Sequence, residues 1–196
     1  MSRLLPPVAL VAIGCSAGGP PALQELLPVL PADLPATVVV AQHMPERFTT
    51  LLADRLARIC SLPVTEIADG DRVGIRRIGI APGGRQTLLE RHDGAIVFRV
   101  RPRGSGERYA PSADLLMVTG AALYGRRVLG VLMTGMGDDG VAGLRAIKGR
   151  RGRTLVESEE TAVVFGMPRE AIRAGLADQV LPRPALGPEI SRLCRG

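Results

Sequence analysis

A chain of 196 residues has room for one domain with a substantial core. With 46% hydrophobic and 22% charged residues it is too apolar to be disordered, and no apolar run approaches the roughly 20 residues of a membrane span, so a soluble protein without membrane insertion is expected. Its odd, unpaired cysteines point to a reducing, cytoplasmic setting. The net charge of +6 is almost all arginine excess, yet five aromatics and no tryptophan leave no basic stripe interleaved with stacking side chains, which argues against nucleic acid as the partner.

The three cysteines, Cys15, Cys60 and Cys194, are odd in number and show no paired spacing, so neither a disulfide framework nor a zinc site is expected. The basic clusters at 99–108, 126–127 and 148–153 sit beside glycine or at element ends and read as solvated loops, with attraction to an acidic protein partner as the functional competitor.

The first element is a buried strand over 8–13, because Pro6 and Pro7 interrupt what would otherwise resemble a signal peptide. A helix with proline in its first turn follows at 21–30, then a strand at 36–41 (ATVVVA). Residues 47–60 read as an amphipathic helix carrying Phe48, Leu51, Leu52, Leu56 and Ile59 at helical spacing. Short strands at 64–67 and 75–80 flank an Asp-Gly-Asp turn, and 86–90 with 95–100 form a hairpin around Arg91-His92-Asp93-Gly94. A helix at 114–123, a buried strand at 128–134 (VLGVLMT), a helix at 141–148 and a last short strand at 154–156 come next. Segments at 161–165 and 168–174 lead to a final helical region at 188–194. The alternation implies an α/β fold, a doubly wound, mostly parallel, Rossmann-like sheet with helices on both faces and one antiparallel hairpin near the middle, filling 1–196 as a single domain.

In such a sheet ligands bind beyond the carboxyl ends of the strands, and three of those ends carry reactive groups. Gly14-Cys15-Ser16-Ala17-Gly18 puts a hydroxyl on a strand-to-helix turn. The spacing suits a nucleophile elbow, and equally a phosphate loop. A P-loop is disfavoured because its lysine and hydroxyl are missing, and a ribose-binding acid is replaced by Gln42 and His43. A serine needs a base, usually an imidazole oriented by a carboxylate. His43 follows the second strand at the edge that carries Ser16, whereas His92 lies in a polar turn. In Gly135-Met136-Gly137-Asp138-Asp139-Gly140, one aspartate suits a cap for the helix near Val141 and the other an orienter of His43. Both could together hold a divalent metal, but no further oxygen ligands are evident, so no metal or cofactor is expected. The order Ser, His, Asp separates the chain from the α/β-hydrolase, chymotrypsin and subtilisin arrangements.

GCSAGG, AQHMP, IAPGG, PSADLL, LMTGMGDDGVAGL and VVFGMPREAI, in that order over nearly the whole chain, resemble the catalytic domain of the chemotaxis protein-glutamate methylesterase, CheB. The resemblance implies hydrolysis of glutamate γ-methyl esters on the cytoplasmic helices of chemoreceptors, and in many members deamidation of receptor glutamines. It assigns the nucleophile to Ser16, the base to His43 and the orienting carboxylate to Asp139. It sets Ala17, Gly18, Met44, Met136 and Gly137 around the oxyanion and substrate. It also implies a regulatory receiver domain of roughly 120 residues, or a separate signalling partner. Here the first strand starts almost at Met1, so the chain is expected to be either a natural stand-alone esterase or an excised catalytic domain. A competing reading is a weakly active or inactive docking module of the same fold. Three positions depart from the family's pattern: Ala17 where some members have threonine, Gln86 where histidine is frequent, and Glu157-Ser158-Glu159-Glu160 where Gln-Asp usually begins the segment before FGMP.

Overall fold

The computed structural model describes residues 7–196, so Pro6 lies outside the described part. In chain order the elements are β1 (Leu10–Cys15), α1 (Gly19–Leu26), β2 (Thr37–Gln42), α2 (Phe48–Ala57), β3 (Val64–Glu66), β4 (Arg77–Ile80), β5 (Arg85–His92), β6 (Ala95–Pro102), α3 (Ala113–Tyr124), β7 (Val128–Leu132), α4 (Val141–Gly149), β8 (Arg153–Glu157), α5 (Met167–Arg173), β9 (Gln179–Leu181) and α6 (Arg183–Arg195). Seven of the strands form one parallel sheet in the order β3-β4-β2-β1-β7-β8-β9, and β5 pairs antiparallel with β6 as a separate hairpin.

β1, β2 and β7 are buried along their whole length, and apolar apart from Thr37 and Gln42 at the two ends of β2, because both faces of the sheet are covered. Side chains alternate between two cores. Val11, Ile13 and Cys15 of β1 pack with Leu23 and Leu26 of α1, Leu52 and Leu56 of α2, and Leu186 and Ile190 of α6. Leu10 and Ala12 face the other way, toward Leu116 and Met117 of α3, Leu144 and Ile147 of α4, Met167 of α5, and Phe98 of the hairpin. Gly14 lies on this second face. A Cβ there would meet the Ala113 Cβ at 2.6 Å, so its absence lets α3 start directly over the end of β1.

Three expectations need correction. The buried stripe of α2 is Thr49, Leu52, Ala53 and Leu56, while Phe48, Leu51 and Ile59 are exposed. The stripe is turned because the Thr49 hydroxyl points inward, donating to Glu66 at 2.6 Å and accepting from the Gly83 amide at 2.8 Å. β8 is not the last strand, since β9 adds a three-residue edge too short for periodicity to register. The final helix begins at Arg183, with Pro184 in its first turn and Pro188 inside it.

The strand order reverses between β1 and β7, where an open α/β sheet leaves a crevice beyond its carboxyl ends. Ser16 leaves β1 at this crevice, and the glycine-rich loop 135–140 leaves β7 beside it.

Candidate active site

Ser16 is the first residue beyond β1. Its amide donates to the Thr134 carbonyl at 2.9 Å, and its own carbonyl accepts from the Gly19 amide at 2.8 Å, which turns the chain into α1. Gly18, the N-cap of α1, takes φ 79° to make this turn. Cys15 is paired with Gln42 in the β1–β2 register, so Ser16 and His43 form the next pair past the ladder, and the His43 amide donates to the Cys15 carbonyl at 3.0 Å. The buried Gln42 amide ties the two turns together, donating to the Ser16 carbonyl at 2.9 Å and the His43 carbonyl at 3.0 Å.

The His43 Nε2 lies 2.7 Å from Asp139 Oδ2. Asp139 is 1% exposed and accepts three more hydrogen bonds, from the Ser112 hydroxyl (2.9 Å) and the amides of Ala113 (2.7 Å) and Asp114 (3.0 Å). Burial opposes its ionisation, but the bonds from His43, Asp114 and Ala113 outweigh burial and hold its carboxyl below the ordinary range. An ionised carboxylate only accepts, so Nε2 is the donor to Asp139, and in the neutral tautomer that fits this contact Nδ1 holds the lone pair a base requires.

Neither aspartate of the glycine-rich loop caps α4, contrary to the sequence-based expectation. Asp139 instead accepts from the first turn of α3, and Asp114 serves α4, accepting from the amides of Gly140 (2.9 Å) and Gly143 (2.6 Å). Asp138 is exposed and accepts from the Tyr109 hydroxyl at 3.1 Å, with Arg108 3.4 Å away. The Tyr109 ring stacks on His43, centroids 4.7 Å apart. His92 is exposed at the end of β5, beside Asp93 at 3.4 Å.

Around Ser16, the amides of Ala17 and Met136 have no hydrogen-bond partner among the described residues. Ala17 is exposed, and Met136 is 73% exposed above a cavity of ≈ 320 Å³ lined also by Arg108, Gly137, Asp138 and Arg169. Met44, next to His43, is half-buried and packs against the core. Thr134 joins the serine turn to the segment before α5. Its hydroxyl donates to the Ala17 carbonyl at 2.8 Å and accepts from the Val164 amide at 2.9 Å.

Glu157, fully buried, holds the Thr134 amide at 2.8 Å and is itself paired with Arg183 at 2.9 Å. Gln86, also buried, donates to the Tyr109 carbonyl (2.7 Å) and accepts from the Ser112 amide (3.0 Å). These two departures from the family pattern are therefore structural supports behind the site. Gln42, Thr134 and Tyr109 went unassigned in the sequence. A polar residue ending an apolar strand was the available signal for the first two, and Tyr109 gave none.

A doubly wound α/β domain with a serine turn, an imidazole and a buried carboxylate at adjacent strand ends has the layout of a serine hydrolase. The model of one family, CheB methylesterase, matches residues 11–190. A protein-glutamate methylesterase/protein-glutamine glutaminase of Geobacter sulfurreducens is 48% identical over 94% of this chain and 50% of its own length. Another from Anaeromyxobacter dehalogenans is 51% identical over 94% of this chain and 51% of its own. The crystal structure of the Thermotoga maritima CheB methylesterase catalytic domain superposes with a TM-score of 0.92 at 37% identity, covering 95% of this chain and 98% of that one. The chain belongs to the CheB methylesterase family, and it spans about half the length of the curated relatives it matches.

Among the described residues, no helix is long and apolar enough to cross a membrane.

Proposed function

We propose that this protein is a serine hydrolase that demethylates glutamate γ-methyl esters, and deamidates glutamines, on the cytoplasmic helices of chemoreceptors. The relatives are named for both activities. The observation that carries the reading is the 2.7 Å contact between His43 Nε2 and Asp139 Oδ2, with Ser16 at the next strand end.

In the proposed reaction Nδ1 of His43 takes the hydroxyl proton as Ser16 Oγ attacks the ester carbonyl, and Asp139 holds the imidazole and stabilises its charged form. The proton then passes to the departing methoxide, methanol leaves, and water attacks the acyl-serine to release glutamate. Ammonia replaces methanol when the substrate is glutamine. The unpaired amides of Ala17 and Met136 are the donors we assign to the oxyanion, and losing one such donor typically costs about 10²- to 10³-fold in rate. With alanine at position 17, no side-chain hydroxyl assists there. A receiver or other signalling partner would regulate this activity.

A fluorophosphonate probe tests the nucleophile. Wild type should label and Ser16→Ala should not; equal labelling would remove Ser16 from the role. Methanol release from a methylated chemoreceptor fragment should collapse in His43→Ala, and full release there would remove His43 as the base.

A further inference from the structure

The hydrogen bond to Asp139 fixes one edge of His43 but leaves the ring free to turn about that bond. Its face is held differently. Tyr109 lies flat against it, centroids 4.7 Å apart and planes 11° from parallel. The tyrosine is in turn anchored at three points. Its hydroxyl donates to Asp138 Oδ1 at 3.1 Å, its carbonyl accepts from buried Gln86 at 2.7 Å, and the Arg108 guanidinium lies 5.1 Å from its ring centre. Gly137, at φ 99°, makes room for it, since a Cβ there would collide with the Tyr109 hydroxyl. Gln86 also accepts from the amide of Ser112, whose hydroxyl donates to Asp139, so one buried side chain sets the positions of both supports of the imidazole.

We propose that Tyr109 is a positioning residue for His43: it fixes the plane of the imidazole so that Nδ1 stays directed at Ser16, and Asp138 anchors it there. The two consecutive aspartates then divide one task. Asp139 holds the edge of the ring directly, and Asp138 holds its face through the tyrosine. This inference rests on the serine-hydrolase reading above.

The test measures the rate of fluorophosphonate labelling, and kcat and KM for methanol release from a methylated receptor fragment, in Tyr109→Leu and Tyr109→Phe, with Ser16→Ala as control. Misplacing a reacting group costs up to about 10²-fold, so Tyr109→Leu should slow labelling and kcat by about 10- to 10²-fold with KM almost unchanged. Tyr109→Phe keeps the ring and should restore most of the rate. Wild-type rates in Tyr109→Leu, a loss confined to KM, or a phenylalanine variant as slow as the leucine one would each overturn the positioning role. A second pair of variants avoids any folding defect of Tyr109→Leu. Asp138→Ala should lower kcat in the wild-type background by the same small factor as Tyr109→Phe, since both remove the one hydroxyl–carboxylate bond, and have no further effect in Tyr109→Phe; an equal loss in both backgrounds would overturn the anchoring. Labelling of Ser16→Ala at the wild-type rate would instead bring down the hydrolase reading beneath the proposal, and is recognised by that control alone.

Discussion

Asp139 and Asp114 exchange caps between two helices. Asp139, in the loop before α4, accepts from the amides of Ala113 and Asp114 at the start of α3, and Asp114, in the first turn of α3, accepts from Gly140 and Gly143 at the start of α4. The exchange locks the N-termini of the two helices together directly beneath His43. The carboxylate that orients the imidazole is therefore set by two helices rather than by a loop, and favourable helix-terminus electrostatics keep it charged.

The exchange separates the two neighbouring aspartates of the loop in a measurable way. Asp139→Asn cannot accept from all four donors and presents the wrong group to Nε2, so methanol release should fall by up to about 10⁴-fold, the loss seen for the equivalent change in a serine-protease triad. Asp138→Asn retains an acceptor oxygen for Tyr109 and should lose far less. A larger loss in Asp138→Asn would move the orienting role to that residue.

The two carboxylates of the cap exchange, Asp139 and Asp114, predict opposite effects on acid stability. The Asp139 carboxyl lies below its ordinary value of 3.8, so the stability it contributes is complete above that value and is lost as pH falls through the lower folded value. Burial raises the Asp114 carboxyl, with the amide bonds from Gly143 and Gly140 offsetting only part of this, so its contribution is largest in acid and declines as pH rises through the raised value. Denaturant unfolding followed from acid toward neutral pH should show a shallower rise in Asp139→Asn and a steeper one in Asp114→Asn. Equal slopes in both variants would contradict the assigned shifts.

Glu157 and Arg183 form a pair with 0% and 10% of their side chains exposed, placed behind Thr134 and thus behind the serine turn. Breaking a buried pair by removing one partner typically costs about 3–5 kcal/mol, because the other charge stays buried without compensation. Arg183→Met should show a loss of that size in urea unfolding. Adding Glu157→Gln to Arg183→Met should recover part of it, since the remaining charge is gone and the amide oxygen can still accept from Thr134. No recovery in the double variant would mean that the loss comes from packing of the arginine stem.

The parallel sheet was legible because its central strands β1, β2 and β7 are largely apolar runs, and Ser16, His43 and Asp139 stood out as candidates because each follows the end of one of them. Register did the rest: once Cys15 pairs with Gln42, Ser16 and His43 must be neighbours. The face of α2 was misread because Phe48, Leu51 and Ile59 have the right spacing but the inward position goes to Thr49, whose hydroxyl is bonded on both sides. The cap exchange and the Tyr109 stack were not legible at all. Both depend on how α3 and the loop before it pack across the sheet, joining positions 25 to 66 residues apart, and single-chain periodicity carries no information about such contacts.

That packing hinges on Gly14, and it can be tested without touching a reactive group. β1 and α3 approach so closely that a Cβ on Gly14 would sit 2.6 Å from the Cβ of Ala113 and 3.0 Å from a Leu132 methyl. Gly14→Ala must push α3 away from the strand, and overpacking of this kind typically costs about 1–3 kcal/mol. The displaced segment carries the Ala113 amide and the Ser112 hydroxyl that hold Asp139, so fluorophosphonate labelling should slow together with the loss of stability. Adding Ala113→Gly removes the closer of the two obstructing atoms. It should therefore restore labelling even though glycine in the first turn weakens the helix itself. Stability and labelling thus recover to different extents if α3 positions Asp139, whereas a Gly14→Ala variant that loses stability with unchanged labelling would show that the carboxylate holds its place without the helix.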